Sequence, residues 1–182
     1  RFHPAFSVAD QGAGRVDVAA ALATSIIADT ASVSFGVARW PHEDDEILLR
    51  TLTYKNLGAP ADLVFELDVV GPEGTRPPAD MFTVTPPVLH LPAGGTASIT
   101  LAADTRVATA GGIYSGRLIA SDGVGRSLSI PLAVEREVES YDLTLRHLDL
   151  QGMPTSSWVG YFIGTDSPMR RRNTGDAAQT SR

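Results

Sequence analysis

From Ala31 onward the apolar residues of this chain recur at every second position, and that period limits what it can become. A strand turns successive side chains to opposite faces, so such a run buries one face and wets the other. Val33, Phe35 and Val37 alternate with small or polar neighbours, and Leu52 and Tyr54 alternate with Thr51, Thr53 and Lys55. Leu63, Phe65, Leu67 and Val69 share a face, as do Ala97, Ile99 and Leu101, and then Tyr114, Leu118 and Ala120. Leu128, Ile130, Leu132 and Val134 give the cleanest alternation. Turn chemistry bounds the runs: Asn56-Leu57-Gly58, Gly71-Pro72-Glu73-Gly74, Pro92-Ala93-Gly94-Gly95, Gly111-Gly112 and Asp122-Gly123. About six or seven short strands of this kind predict a mostly β, antiparallel two-sheet sandwich over residues 31–137. A parallel α/β fold is excluded, because no helical crossover fits between the runs.

Residues 1–27 read differently. After the turn signal Gln11-Gly12-Ala13-Gly14, Asp17 is a suitable N-cap, and the alanine-rich stretch behind it has strong helix propensity. Val18, Leu22 and Ile26 recur at helical spacing, so one short helix is predicted over residues 17–25. A helix that short needs a surface for its apolar face. Beyond Glu137 the alternation restarts at Tyr141, Leu143 and Leu145, turns at Gly152-Met153-Pro154, and resumes from Trp158 to Ile163. Residues 138–167 therefore read as the start of a further β-domain, and the polar residues 168–182 as a disordered tail. The chain opens on Arg1 with no signal-peptide pattern, as expected of a processed product or an excised fragment.

The formal net charge of -6 argues against nucleic acid or an anionic membrane as partner, and Arg170-Arg171-Arg172 reads as part of a solvated tail. No apolar run approaches the roughly 20 residues of a membrane helix. With no cysteine, the chain has no disulfide, thiolate site or cysteine nucleophile. The search for chemistry returns no catalytic, cofactor-binding or metal-binding residue. His3, His42, His90 and His147 have no metal-pair spacing, and no serine stands in a Gly-x-Ser-x-Gly elbow. The only lysine, Lys55, excludes a Ser-x-x-Lys pair. The acidic run His42-Glu43-Asp44-Asp45-Glu46 could offer oxygen ligands to calcium, but its contiguity favours a solvated connection between strands. Trp40, Tyr54, Trp158 and Tyr161 could form a sugar platform, with core packing the favoured reading. Tyr114 is placed either to form a tyrosine corner or to serve as a plain buried aromatic.

The run Gly12-Ala13-Gly14-Arg15-Val16-Asp17-Val18-Ala19-Ala20-Ala21 resembles the end of the peptidase domain of subtilisin-like serine proteases, where such a turn opens the last helix. Val33-Ser34-Phe35-Gly36, Thr51 to Gly58, Leu91 to Ala97 and Tyr114 to Leu118 resemble the fibronectin-III-like accessory domain that follows it in large bacterial members. The likeness covers about residues 10–137 and implies a fibronectin-III/immunoglobulin-like sandwich preceded by one short helix. None of the family's catalytic Asp, His and Ser motifs occurs, so no catalytic residue carries over. The resemblance implies a non-catalytic accessory region of a secreted, extracellular or cell-surface endopeptidase. It would position the protease domain upstream and its protein substrate, without a cofactor. The alternatives are a carbohydrate- or surface-binding module, or a free-standing adhesion or chaperone-type domain that uses an open strand edge. The orphaned helix is expected either to fray or to dock on a neighbouring copy, and open strand edges could pair with another chain.

Overall fold

Nine strands form where the alternation is strong and where short apolar runs stand between prolines. The computed structural model describes residues 12, 18–141, 143–144, 146–155, 160–163, 170–173 and 180–181. The strands of the first compact unit, which ends at Glu139, are β1 (Ile26–Ala28), β2 (Val33–Ala38), β3 (Leu48–Asn56), β4 (Ala61–Val70), β5 (Phe82–Thr85), β6 (Val88–Leu91), β7 (Thr96–Ala103), β8 (Gly112–Ser121) and β9 (Ser127–Arg136). One sheet has the order β1-β3-β7-β5 and the other β2-β9-β8-β4-β6. Their inner faces close a single core through Leu52, Ile99, Leu101, Leu118, Leu132 and Val134, each at most 1% exposed. The fold is an immunoglobulin-like sandwich with the two sheets that the alternation predicts, though with one parallel pair, β2 on β9.

The chain passes between the sheets at every step from β1 to β8, and two of these changes are not visible in local periodicity. β1 pairs with β3 in the first sheet, and five residues later β2 lies against β9 in the second. Between Ser34 and Val37 the register of β2 shifts, and Gly36 takes a φ of 80 that favours a residue without Cβ. The other of the two runs from β5, paired with β7, through Pro86-Pro87 to β6, paired with β4. A closer constraint holds β8 on β4. A Cβ built on Gly116 would stand 2.1 Å from the Asp68 carbonyl oxygen, so only glycine lets the two backbones approach as they do.

The opening helix, α1, covers Val18–Ala23 and exposes Val18 and Leu22. Ile26, which the sequence places on the same helical face, is instead a strand residue buried in the sandwich core. An alanine run and a β-branched residue at i+8 satisfy helical spacing, but pairing with β3 and core burial outweigh one further turn of helix. The helix ends and the sandwich takes up the chain at Ile26, ahead of the expected start at Ala31. Asp17 lies outside the described residues, as do His3 and Trp158.

Residues 140–182 form a second compact unit. The expected turn is present: Gly152 N–H donates to the Asp149 carbonyl, and the Asp149 carboxylate accepts from the backbone of Gln151 and Met153. β10 (Leu143–Thr144) pairs with β13 (Thr180–Ser181), and β11 (Gly160–Ile163) with β12 (Arg170–Asn173). Parts of the polar tail expected to lack structure are therefore strands. The ladder uses backbone groups, which a polar run supplies as well as an apolar one. No described helix is long and apolar enough to cross a membrane.

Candidate functional site: an open edge on strand four

β6 pairs with β4 only over residues 61–64, and on its other side β4 pairs with β8 over residues 64–70. From Phe65 to Val70 the β6 side of β4 has no strand partner among the described residues. The cause is in the sequence. Val88 of β6 stands opposite Val64, and the two residues before it are Pro86 and Pro87. Neither proline has an N–H for the ladder, so the chain leaves β4 at that point and crosses to the other sheet.

A cleft of about 410 Å³ runs along this gap, lined by residues 66–70, by residues 76–79 and by Phe82. It is bordered by side chains of both faces of β4: Leu67 and Val69 point to the core, while Glu66, Asp68 and Val70 point to solvent. Only an edge-on groove meets both sets. On the inner side Phe65 and Leu67 are half-buried, with apolar surface still uncovered.

The other incompletely paired strands are shorter or interrupted. β1 has three residues, while β5 and β6 have four each and flank Pro86-Pro87. The outer edge of β2 is broken by the bulge at Gly36, and its Ser34 carbonyl accepts from Arg50 Nε at 3.1 Å. On β3, Arg50 Nη1 donates to the Leu49 carbonyl at 2.8 Å, which occupies that stretch of backbone. The part of β9 that extends beyond β2 contains Pro131. These are the usual means by which a sheet avoids unwanted pairing, and residues 65–70 of β4 carry none of them.

Charge along the outer face of β4 is patterned. Asp62 Oδ1 lies 2.6 Å from Nδ1 of His90, its register partner on β6. Asp68 Oδ2 accepts from Arg117 of β8 at 3.1 Å (Nε) and 2.9 Å (Nη2), again between register partners. Between them Glu66 faces Ile119 on β8 and the vacant position on the other side. Among the described residues no ion pair involves Glu66.

The residues singled out from the sequence lie elsewhere. In the acidic run, His42 is 2% exposed, with Nδ1 2.9 Å from Asp45 Oδ2 and Nε2 2.9 Å from the Glu137 carbonyl oxygen. Thr105 donates to the same Asp45 oxygen at 2.6 Å, and Arg136 donates to the carbonyls of Thr105 and Thr109. Trp40 packs edge-on to the His42 ring, and its backbone N–H donates to the Glu137 carboxylate. His42 and Asp45 thus form a latch that ties the β2–β3 connection to the end of β9, while Glu43, Asp44 and Glu46 are exposed as expected of a solvated connection. Among the described residues no three of His, Asp and Glu gather as a metal set. Tyr54 is fully buried against Phe65 and cannot serve a sugar platform. Its hydroxyl has no hydrogen-bond partner, and burial, with help from the Asp29 carboxylate, pushes its pKa above the ordinary value. The Tyr114 hydroxyl donates to the Ala110 carbonyl at 2.7 Å, which makes it a tyrosine corner. His147, Tyr161 and Arg170-Arg171-Arg172 all belong to the second unit.

No family model matches the chain, and no curated protein matches it. Among solved structures it is similar to an ASH/PapD-like domain of human CEP192 (PapD-like domain 7), with a TM-score of 0.50 and 14% identity over 64% of this chain and 88% of that one. A family 123 glycoside hydrolase from Clostridium perfringens gives a TM-score of 0.50 at 12% identity, over 64% of this chain but only 28% of the enzyme. The CupB2 chaperone of Pseudomonas aeruginosa follows at 0.41 and 17% identity, over 60% of this chain and 55% of that one. The likeness to the CEP192 domain corrects the resemblance to a subtilisin-like protease and its fibronectin-III region. The quoted strand motifs are ones that many two-sheet sandwiches share, and Ile26, read as part of the helix face that packs on a protease body, is a strand residue of the sandwich core. At such low identity the comparisons establish the fold, an immunoglobulin-like sandwich, and nothing finer.

Proposed function

We propose that the first unit is a non-catalytic protein-binding module that captures an extended segment of another protein as an added strand on β4. The observation that carries this reading is the proline-free stretch of residues 65–70, unpaired on one side and opening on the 410 Å³ cleft. Strand addition supplies affinity through main-chain hydrogen bonds and selectivity through alternate side chains. It needs no catalytic group, and it matches the alternative of an adhesion or chaperone-type sandwich. An exported location belongs to the same proposal, and cell fractionation checks it.

Selection from a random peptide display library on the full chain tests the reading. The expected ligands are extended, protect alternate amides of residues 65–70 from hydrogen exchange, and lose binding when alternate peptide nitrogens are methylated. Ligands that tolerate that methylation, or that protect other residues, would show that the domain does not work by strand addition.

A further inference from the structure

We infer that the segment captured at β4 runs antiparallel to it and alternates apolar residues with lysine or arginine, one cation standing opposite Glu66. This inference rests on the strand-capture reading and names the chemistry of the partner. A segment continuing the line of β6 takes the place that Pro86 and Pro87 vacate, and antiparallel pairing, as β6 itself makes, is the more stable ladder per residue. Side chains opposite Phe65, Leu67 and Val69 then point towards the half-buried apolar surface and Phe82, and those opposite Glu66 and Asp68 point to solvent. The inward positions therefore call for apolar residues.

The outward positions are set by charge. Each of the two flanking carboxylates of β4 already has a side-chain partner in register on a neighbouring strand: Asp62 the His90 ring and Asp68 the Arg117 guanidinium. Glu66 has the apolar Ile119 on its β8 side, so a counter-charge in register with it falls to the incoming strand. Arg76 on the opposite wall keeps the cleft as a whole close to neutral, so selectivity comes from position rather than from a bulk field. The same pattern disfavours a second copy. Antiparallel pairing of two β4 edges centred on Leu67 would set Glu66 against Asp68 twice, and like charges directly opposed destabilise a ladder.

The test uses labelled peptides of about eight residues with valine at the inward positions and lysine, threonine or glutamate at the outward ones. Binding to the full chain is read by fluorescence anisotropy at low ionic strength, where an exposed pair is least screened. The lysine peptide is expected to bind about two- to fivefold tighter than the threonine peptide, and the glutamate peptide more weakly than either. Glu66→Lys should reverse that order. Glu135→Lys, an equal change in net charge at an exposed site on β9, should leave the order intact. Equal binding of all three peptides, with protection still at residues 65–70, would overturn the charge assignment and leave strand capture standing. An order that Glu135→Lys reverses as fully as Glu66→Lys would reduce the preference to net charge. Failure of every peptide to bind or to protect β4 would remove the strand-capture reading and this inference with it. A concentration-dependent dimer that occludes residues 65–70 would make a second copy the occupant.

Discussion

Replacing Tyr114 by phenylalanine removes one oxygen and leaves the ring in place, and the same change at Tyr54 gives a control of identical chemistry. The Tyr114 hydroxyl bonds to the Ala110 carbonyl at 2.7 Å and stands 2.8 Å from Thr109 Oγ1. A net hydrogen bond is worth about 0.5–1.5 kcal/mol. The exposed Ala110 carbonyl can take water in its place and adds no further penalty, so the expected loss is about 0.5–1.5 kcal/mol. At Tyr54 the hydroxyl is buried without a partner. A buried unpaired hydroxyl costs about 1–3 kcal/mol, and the small void left by one oxygen offsets only a few tenths of that. Tyr54→Phe should therefore stabilise by about 1 kcal/mol, opposite in sign to Tyr114→Phe. Urea melts of the full chain followed by circular dichroism, with unchanged slopes, would read the difference, and midpoints in thermal melts should separate by roughly 4 °C per kcal/mol. If Tyr54→Phe costs as much as Tyr114→Phe, the Tyr54 hydroxyl has a partner after all and the reasoning fails.

Alkali provides a second reading of the same buried phenol. Folding raises the Tyr54 pKa, so the folded chain keeps a proton that the unfolded chain releases near pH 10. Its contribution is complete below that pH and lost as pH rises further, so the stability of Tyr54→Phe should fall less steeply than wild type above about pH 10. Gly116→Ala forces a Cβ against the Asp68 carbonyl and should cost about 1–3 kcal/mol, with faster amide exchange across residues 66–70; an unchanged melt would mean that β8 and β4 can separate freely. Calcium at millimolar concentration should shift the melt by less than about 1 °C, because Asp45 is already held by His42 and Thr105. A specific site at a hundred times its Kd would add about 2.7 kcal/mol, which calorimetry would detect at once.

The sheets were legible where a strand is long and keeps one face wet. β4, β7, β8 and β9 all follow the alternation of their residues. β5 and β6 are four residues each and surround two prolines, so no window along the chain is long enough to show a period. Ile26 fits two periods at once, and only the core it enters decides between them. The burial of His42 depends on a carbonyl 95 residues away, and no local pattern carries that information. The open edge was equally hidden, since it is a difference in length between paired strands and becomes visible only with register. Pro86-Pro87 was its one local trace.

The parallel placement of β2 on β9 decides how the first unit responds to force. The chain enters β2 at Val33, beside Leu132, and leaves β9 at Arg136, beside Ala38. Tension applied from the two ends pulls these neighbours in opposite directions along their own axes. The bonds between them then share the load together in shear, whereas an antiparallel pair joined by a hairpin would unzip one bond at a time. At the exit of β9 the His42 latch and the two carbonyl contacts of Arg136 add resistance where the load is applied. A module anchored through both termini would therefore keep its β4 edge in shape while it bears tension.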